Sequence, residues 1–441
     1  MTHSNPHESR EAQALAEIAT TRISRAGSWT LTLTLLAALA VGSLIEAARA
    51  GRGEATAFAG GVPIPTPQAF FETFRRDGAL TANRELHAGL LALEDRLGRE
   101  SGVSAALRPA AQTALSRGLG YGNSQVLVGR QGALYFRTEF DYLTGRGFLA
   151  PGELARRRTF GARYFAPHPN PVPGLVRLSH DLAAQGIELV FFPVPVKAQV
   201  HPEGLIRFGA RSADAALPPA NPSYPELVRR LTSAGIPVYD ALPDLRAAAL
   251  AGEVLYRATD THWNARGMRI AADGLARFLA RATALPPRPP AGFRRRSFAH
   301  ELEGDLTRLL GAGVGGPIYP GERLELDEIV ALGDTPFDAT AAADADVLLL
   351  GDSYARVYTF EVGGKSGGFT EQLAFALDRP VQRSAKLGAN LLSDRVQWLR
   401  EDPQLLAGKR VVVYEVTARA LSSADWSAAP LRPKRHQRRQ P

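Results

Sequence analysis

The sequence predicts an α/β protein: a parallel sheet sandwiched by helices, following one long apolar helix near the N-terminus. Three observations carry that reading. Short, almost continuously apolar runs recur at residues 187–193 (IELVFFP), 347–350 (VLLL) and 410–416 (RVVVYEV), as expected of strands buried on both faces. Segments with helical spacing of apolar residues alternate with them, which is the order that builds a parallel sheet. Residues 26–45 carry no charge, and their length is close to the roughly 20 residues that cross a bilayer as a helix.

The elements follow in chain order. Residues 1–25 form a leader whose Arg22 and Arg25 flank the apolar segment, as in a leader left in the cytoplasm. Residues 26–47 are a transmembrane anchor or a signal segment. Ala48 and Ala50 form an A-x-A cleavage pattern, so the body from Gly51 onward is expected outside the cytoplasm either way. Residues 48–118 begin as a Gly- and Pro-rich linker and continue as a helical region, with amphipathic spacing in LHAGLLALEDRL.

The α/β part spans 119–427. It opens on a hairpin, QVLVGRQGALYF, in which two apolar runs flank Gly129-Arg130-Gln131-Gly132. A helix at Leu175–Gln185 leads into the strand Ile187–Pro193. A second helix, Pro225–Ser233, leads into a strand in IPVYDAL. Helix Ala265–Ala282 comes next, then the strand of VLLLGDS, helix Phe369–Leu377, a strand in RPVQRSA, and the last strand at Arg410–Val416. The end, 428–441, is a basic tail. Its Arg432, Lys434, Arg435, Arg438 and Arg439 account for five of the net +8 charges, which leaves the body only mildly basic. Such a run reads as a solvated, disordered end or as a contact for an acidic polymer or anionic lipid. No nucleic-acid-binding motif accompanies it.

Composition narrows the chemistry. There are no cysteines, so disulfides, thiol nucleophiles and thiolate metal sites are excluded. Ser353 stands just after the VLLL strand in Gly351-Asp352-Ser353, and ligand sites of open α/β sheets lie beyond the carboxyl ends of strands. Its own N–H is a candidate oxyanion donor. The plain alternative is a polar turn or helix cap. A nucleophilic serine needs a base. Among the nine histidines, only His262 has an aspartate two positions earlier, in Asp260-Thr261-His262-Trp263; His87 has Glu85 at that spacing, but inside a predicted helix. A carboxylate orients one imidazole nitrogen and frees the other to take a proton from serine. One histidine and one aspartate are too few to hold a metal, and no metal or cofactor is expected.

Taken together, GDS at a strand end and a separate Asp-x-His pair resemble the SGNH (GDS-type) esterases, with the two blocks in reversed order. That order resembles the periplasmic alginate O-acetyltransferase family, whose catalytic domain is a circularly permuted SGNH fold. VGRQGALYF, LVFFPVPVKAQVHPE, DTHWNARG, LLLGDSYAR and VVVYEVTAR with Trp426 are each similar to stretches of that family, and together they cover about 120–427. The chain departs from its pattern at Ala133 and Tyr414, where tryptophan is common, and in VGGKSGGF.

The resemblance implies an O-acetyltransferase. His262, oriented by Asp260, activates Ser353; an acetyl-enzyme forms; a hydroxyl of an exported polysaccharide takes the acetyl group. It also implies a donor partner of the membrane-bound O-acyltransferase type, and an envelope protein that is anchored in the inner membrane with a periplasmic catalytic domain. If cleaved after Ala50, it would instead be periplasmic. Asn390 and Gly388 are further oxyanion candidates, Asn390 reading equally as a loop residue. Lys197, Arg395 and Arg419 are candidate binders of a polar or acidic polysaccharide, with structural ion pairing as the alternative. Tyr354 and Trp263 are candidates to stack on sugars, with core packing as theirs. His300 and Asp305, in HELEGDL, match a recurring stretch without an assigned role. Two other readings fit the same residues: a carbohydrate acetyl esterase, and a non-catalytic polysaccharide-binding component of the secretion machinery.

Overall fold

The computed structural model describes residues 24–54, 64–205, 220–311, 318–359, 362, 365–385 and 391–431. The chain divides into two compact units, Met1–Arg108 and Pro109–Pro441.

The first unit is helical. A helix at Arg25–Gly51 is capped by Ser24, whose hydroxyl accepts the Gly27 N–H. Its apolar side chains are largely exposed, Trp29, Leu33 and Leu36 among them. Among the described residues it is the one helix long and apolar enough to cross a membrane. Helices Pro67–Asp77 and Ala79–Glu100 follow, linked by the hydrogen bond from Thr73 Oγ1 to Glu85 Oε2.

The second unit is built on a four-stranded parallel sheet: β3 (Glu188–Val194), β6 (Val347–Gly351), β7 (Val381–Ala385) and β8 (Val411–Thr417), in the order β3-β8-β6-β7. Every residue of β6 and β8 is buried, which is why these strands read as unbroken apolar runs rather than alternating ones. The two-residue period of a strand divides them between two cores. Val190, Phe192, Leu349 and Val413 face helices Ala265–Ala282 and Phe369–Leu377 through Met268, Leu275 and Leu373. Leu189, Phe191, Leu348 and Val412 face helices Pro171–Ala183, Tyr224–Ser233 and Leu392–Glu401 through Leu178, Leu231 and Val396.

The expected hairpin forms between β1 (Val126–Val128) and β2 (Leu134–Phe136). The strand expected in IPVYDAL does not. It contributes a single parallel bridge, Val238 to Phe191, at the free edge of β3. Pro237 has no N–H to extend a ladder, so only its carbonyl and the Tyr239 N–H bond Phe191. A nine-residue antiparallel ribbon, β4 (Arg294–Leu302) with β5 (Glu322–Val330), was not anticipated. β4 has Arg294, Arg295 and Arg296 exposed and offers no apolar run to mark it as a strand. The basic tail from 432 onward lies outside the described residues.

Candidate active site

Ser353 sits where β6 ends. Gly351 closes the strand, and a side chain there would meet the Ala355 Cβ at 2.3 Å and Glu415 Oε2 at 2.7 Å, so only glycine fits the turn. Asp352 caps the short helix Ser353–Arg356: its Oδ1 accepts the Tyr354 N–H at 2.9 Å, and its Oδ2 accepts the Thr417 N–H from β8 at 3.0 Å. The Asp352 N–H in turn donates to Glu415 Oε2 at 2.9 Å. Burial, with Asp352 alongside, pushes the Glu415 carboxyl well above its ordinary range. The cap reading of this stretch therefore holds for Asp352 and leaves Ser353 free for other work. Among the described residues, the Ser353 N–H meets no backbone acceptor.

His262 arrives from the loop between Tyr256 and helix Ala265–Ala282. Asn264 fixes the start of that helix, accepting the Gly267 N–H at 3.0 Å. A bridge between Tyr256 and Trp263, with the Arg257 N–H on the His262 carbonyl, makes the loop tight. His262 Nε2 lies 2.8 Å from Ser353 Oγ, and His262 Nδ1 lies 2.7 Å from Asp260 Oδ1. Ninety-one residues separate His262 from Ser353, and the fold closes that gap to one hydrogen bond.

Asp260 is held from several sides. Its Oδ1 also accepts the His262 N–H at 2.9 Å, and its Oδ2 accepts Arg257 Nη1 at 2.6 Å and the Asp305 N–H at 3.0 Å. Burial alone would raise its pKa, but His262 and Arg257 outweigh it and hold the carboxylate below its ordinary value. For His262 burial works downward, while the charge and hydrogen bond of Asp260, with Asp305 behind it, win and raise it above 6.5. The arrangement gives a base whose Nδ1 is fixed toward a carboxylate and whose Nε2 is aimed at a hydroxyl, the geometry that general-base activation of a serine requires. Asp260, His262 and Asp305 bring ligand-type atoms within 4.8 Å of one another. Each of the four carboxylate oxygens already accepts an N–H or O–H donor, so the cluster is a hydrogen-bonded network.

A cavity of about 640 Å³ opens on these groups. Its walls include Ser353, His262, Arg308, His300 and Arg419. Arg419 pairs with the buried Glu139 at 3.0 Å and lies over the rings of Phe136 and Tyr354. Burial pushes Glu139 up to about 7 against the pull of Arg419.

Four expected sugar contacts are corrected. Lys197 is buried: its ammonium donates to the carbonyls of Leu134 at 2.6 Å, Ala258 at 2.7 Å and Asp260 at 3.4 Å. Arg395 is fully buried, donates to the carbonyls of Leu350 and Glu415, and covers the Tyr414 ring at 4.2 Å. Tyr354 is likewise buried, its hydroxyl on the Thr261 carbonyl and its ring 4.6 Å from that of His262. Trp263 is a core residue too, packed on Tyr354 and Phe369. These side chains hold the site together from behind. Asn390 and Gly388 lie outside the described residues.

Sequence reasoning missed Arg257 and Glu139, and it noticed Asp305 without a role. Arg257 stands three residues before Asp260 in the same loop, a spacing that offered a local signal. Glu139 is 280 residues from its partner Arg419, and no local pattern joins them.

Comparison with known proteins bears on this geometry. The family described as "SGNH hydrolase-like domain, acetyltransferase AlgX" matches residues 157–418, more than half of the chain. A protein of Pseudomonas fluorescens named "Probable alginate O-acetylase AlgJ" is 29% identical over 247 residues, 54% of this chain and 58% of that one. The protein of the same name from Pseudomonas aeruginosa is 30% identical over 276 residues, 58% of this chain and 66% of that one. In its first match the chain thus spans under two thirds of the curated relative's length. Among solved structures, the O-acetyltransferase domain of Pseudomonas putida AlgJ superposes with a TM-score of 0.51 at 22% identity, covering 68% of this chain and 93% of that one. That likeness is one of fold.

Proposed function

Since the chain belongs to the family of SGNH hydrolase-like, AlgX-type acetyltransferase domains, we propose that it is an O-acetyltransferase acting on hydroxyls of an exported, alginate-like polysaccharide. The observation that carries the proposal is the 2.8 Å contact of His262 Nε2 with Ser353 Oγ, backed by the 2.7 Å contact of His262 Nδ1 with Asp260.

In the first half-reaction, an acetyl ester donor enters the cavity. His262 takes the proton of Ser353 as Oγ attacks the acetyl carbonyl. The negative oxygen that forms is met by the Ser353 N–H at the start of its helix. The tetrahedral species collapses, His262 returns the proton to the departing alkoxide, and acetyl-Ser353 remains. In the second half, His262 takes a proton from a sugar hydroxyl, which attacks the acetyl-serine carbonyl. The acetyl group passes to the sugar and the proton returns to Ser353. Asp260, kept ionised by Arg257, stabilises the imidazolium in both halves. Arg419, on the cavity wall with its charge secured by Glu139, remains the candidate sugar contact.

The acetyl donor must come from inside the cell, so a membrane-bound O-acyltransferase is the class of partner that would supply it. The apolar helix fits a retained anchor better than a cleaved leader. It runs unbroken through Ala48-x-Ala50, and its end is in use. Buried Glu46 accepts the Gly102 N–H at 2.5 Å, and Arg49 donates to the Glu100 carbonyl at 3.0 Å. N-terminal sequencing of the mature protein tests this: a start at Gly51 would refute retention.

The function is tested with the purified full chain, an acetyl ester donor and an oligosaccharide acceptor. Acetylated sugar supports the transferase, whereas free acetate alone would make the protein an esterase. Ser353→Ala is expected to abolish transfer, and His262→Ala with it should be scarcely worse than either alone, since triad members act as a unit. Full polymer acetylation by the Ser353→Ala chain would reduce the protein to a binding component.

A further inference from the structure

Resting on the reading of His262 as the base, we propose that Asp305 is a positioning residue, a second carboxylate that holds the base loop and places a negative charge behind the His262 ring. The segment Gly304–Leu306 docks along Thr259–Thr261. Asp305 Oδ1 accepts the Thr261 N–H at 2.8 Å, and its Oδ2 accepts the Thr261 hydroxyl at 2.6 Å. The Asp305 N–H donates back to Asp260 Oδ2 at 3.0 Å, and the Leu306 N–H to the Thr259 carbonyl at 3.2 Å. The approach is close enough that a Cβ on Gly304 would lie 1.9 Å from the Thr259 oxygen. This docking leaves Asp305 Oδ2 3.8 Å from His262 Nδ1, while the Thr261 hydroxyl lies 3.4 Å from the same nitrogen.

Nδ1 therefore faces two carboxylates, Asp260 in hydrogen-bond contact and Asp305 one step farther. Both favour the imidazolium that forms whenever His262 accepts a proton. The opposing charges are Arg257 and Lys197, which hold Asp260, and Arg419, which is itself paired with Glu139. His300, Glu301, Glu303 and Arg308 line the cavity beyond. Burial and then the neighbouring Asp260 charge push the Asp305 carboxyl above its ordinary value, and His262 and the Thr261 donors offset only part of that rise. The ribbon β4/β5 supplies the scaffold. Leu302, the last residue of β4, accepts Arg257 Nη2 at 2.8 Å, and Glu322, the first of β5, accepts the Ala258 and Thr259 N–H groups at 3.1 and 3.0 Å.

The test is Asp305→Asn in the full chain, which preserves shape and removes the charge. His262 must be neutral to act as base, and removing a nearby anion lowers its pKa. The acid limb of the kcat/KM–pH profile is expected to move down by about one pH unit. Asp305→Glu retains the charge and should keep the limb where it is. A ¹⁵N-histidine NMR titration of His262 in the same chains needs no turnover and should move with the limb. A merely structural role would lower kcat with limb and titration fixed, and that outcome overturns the proposal. If the Asp305→Asn chain does not fold, Thr261→Val removes the hydroxyl donor from Asp305 Oδ2, which favours a neutral Asp305. It should shift the titration the same way by less, and no shift overturns the proposal equally. A His262 titration that moves in a chain without transferase activity sinks the functional reading and leaves this one standing. An active chain whose limb stays put does the reverse.

Discussion

Lys197→Met separates a structural lysine from a sugar-binding one. In the folded chain the ammonium is surrounded by the carbonyls of Leu134, Ala258 and Asp260 and lies 4.8 Å from the Tyr135 ring. It ties the β1/β2 hairpin to the loop that carries His262. Methionine fills similar space without a donor. The Ala258 carbonyl keeps the Leu134 N–H at 2.8 Å, so two carbonyls are left dry, and at about 1–3 kcal/mol each they cost about 4 at midrange. Against this stands relief from burying a charge. Burial drags the lysine from 10.5 to about 8, which corresponds to roughly 3 kcal/mol spent on keeping it charged at neutral pH. The orphaned carbonyls still win, and the net loss is about 1 kcal/mol. With a urea slope near 3 kcal/mol/M, the unfolding midpoint of the full chain should fall by roughly 0.3 M. Activity should drop through kcat as the His262 loop loosens, while KM for the oligosaccharide stays within about twofold because no acceptor contact is removed. A Lys197→Met chain as stable as the parent, with a raised acceptor KM, would refute the reasoning and return Lys197 to the binding surface.

Other outcomes follow from the same structure. Activity should fall as pH drops through a value above 6.5, the ordinary histidine figure, because His262 is raised and works only when neutral; an acid limb below 6.5 in the parent chain would contradict the Asp260–His262 geometry. Arg395→Met should cost stability, by about 2–4 kcal/mol, since the Leu350 and Glu415 carbonyls beneath the nucleophile turn lose a buried donor; thermal unfolding reads it, and an unchanged melt with weakened polysaccharide binding would speak for a ligand role. Gly304→Ala should lower kcat at least tenfold and destabilise by about 1–3 kcal/mol, as the new Cβ must push the segment off Thr259; a fully active alanine chain would show that the docking of Asp305 is dispensable.

Much of the fold was legible because its signals are local. A strand buried on both faces must be apolar at every position, so β3, β6 and β8 announced themselves. Where a sequence signal was mixed, the reading failed. IPVYDAL carries a proline that stops its ladder after one bridge. β4 is a polar strand whose partner, β5, hides its character until the two are paired.

The site divides along the same line. By itself the sequence picked out the proposed reacting groups: a serine after a glycine turn at a strand end, and a histidine two residues from an aspartate. Those assignments depend on residue identity at short spacing, which a sequence displays in full. Only the tertiary structure decided which charged side chains face a ligand and which face the protein. Lys197 and Arg395 look like surface cations in the chain. They are buried because carbonyl groups distant in sequence converge on them: those of Leu134 and Asp260, each 63 residues from Lys197, and those of Leu350 and Glu415, 45 and 20 residues from Arg395. Asp305, 44 residues beyond Thr261, reaches the base loop only because a ribbon delivers it there. Burying a charge is costly unless partners are already in place, and those partners belong to segments that only folding brings together.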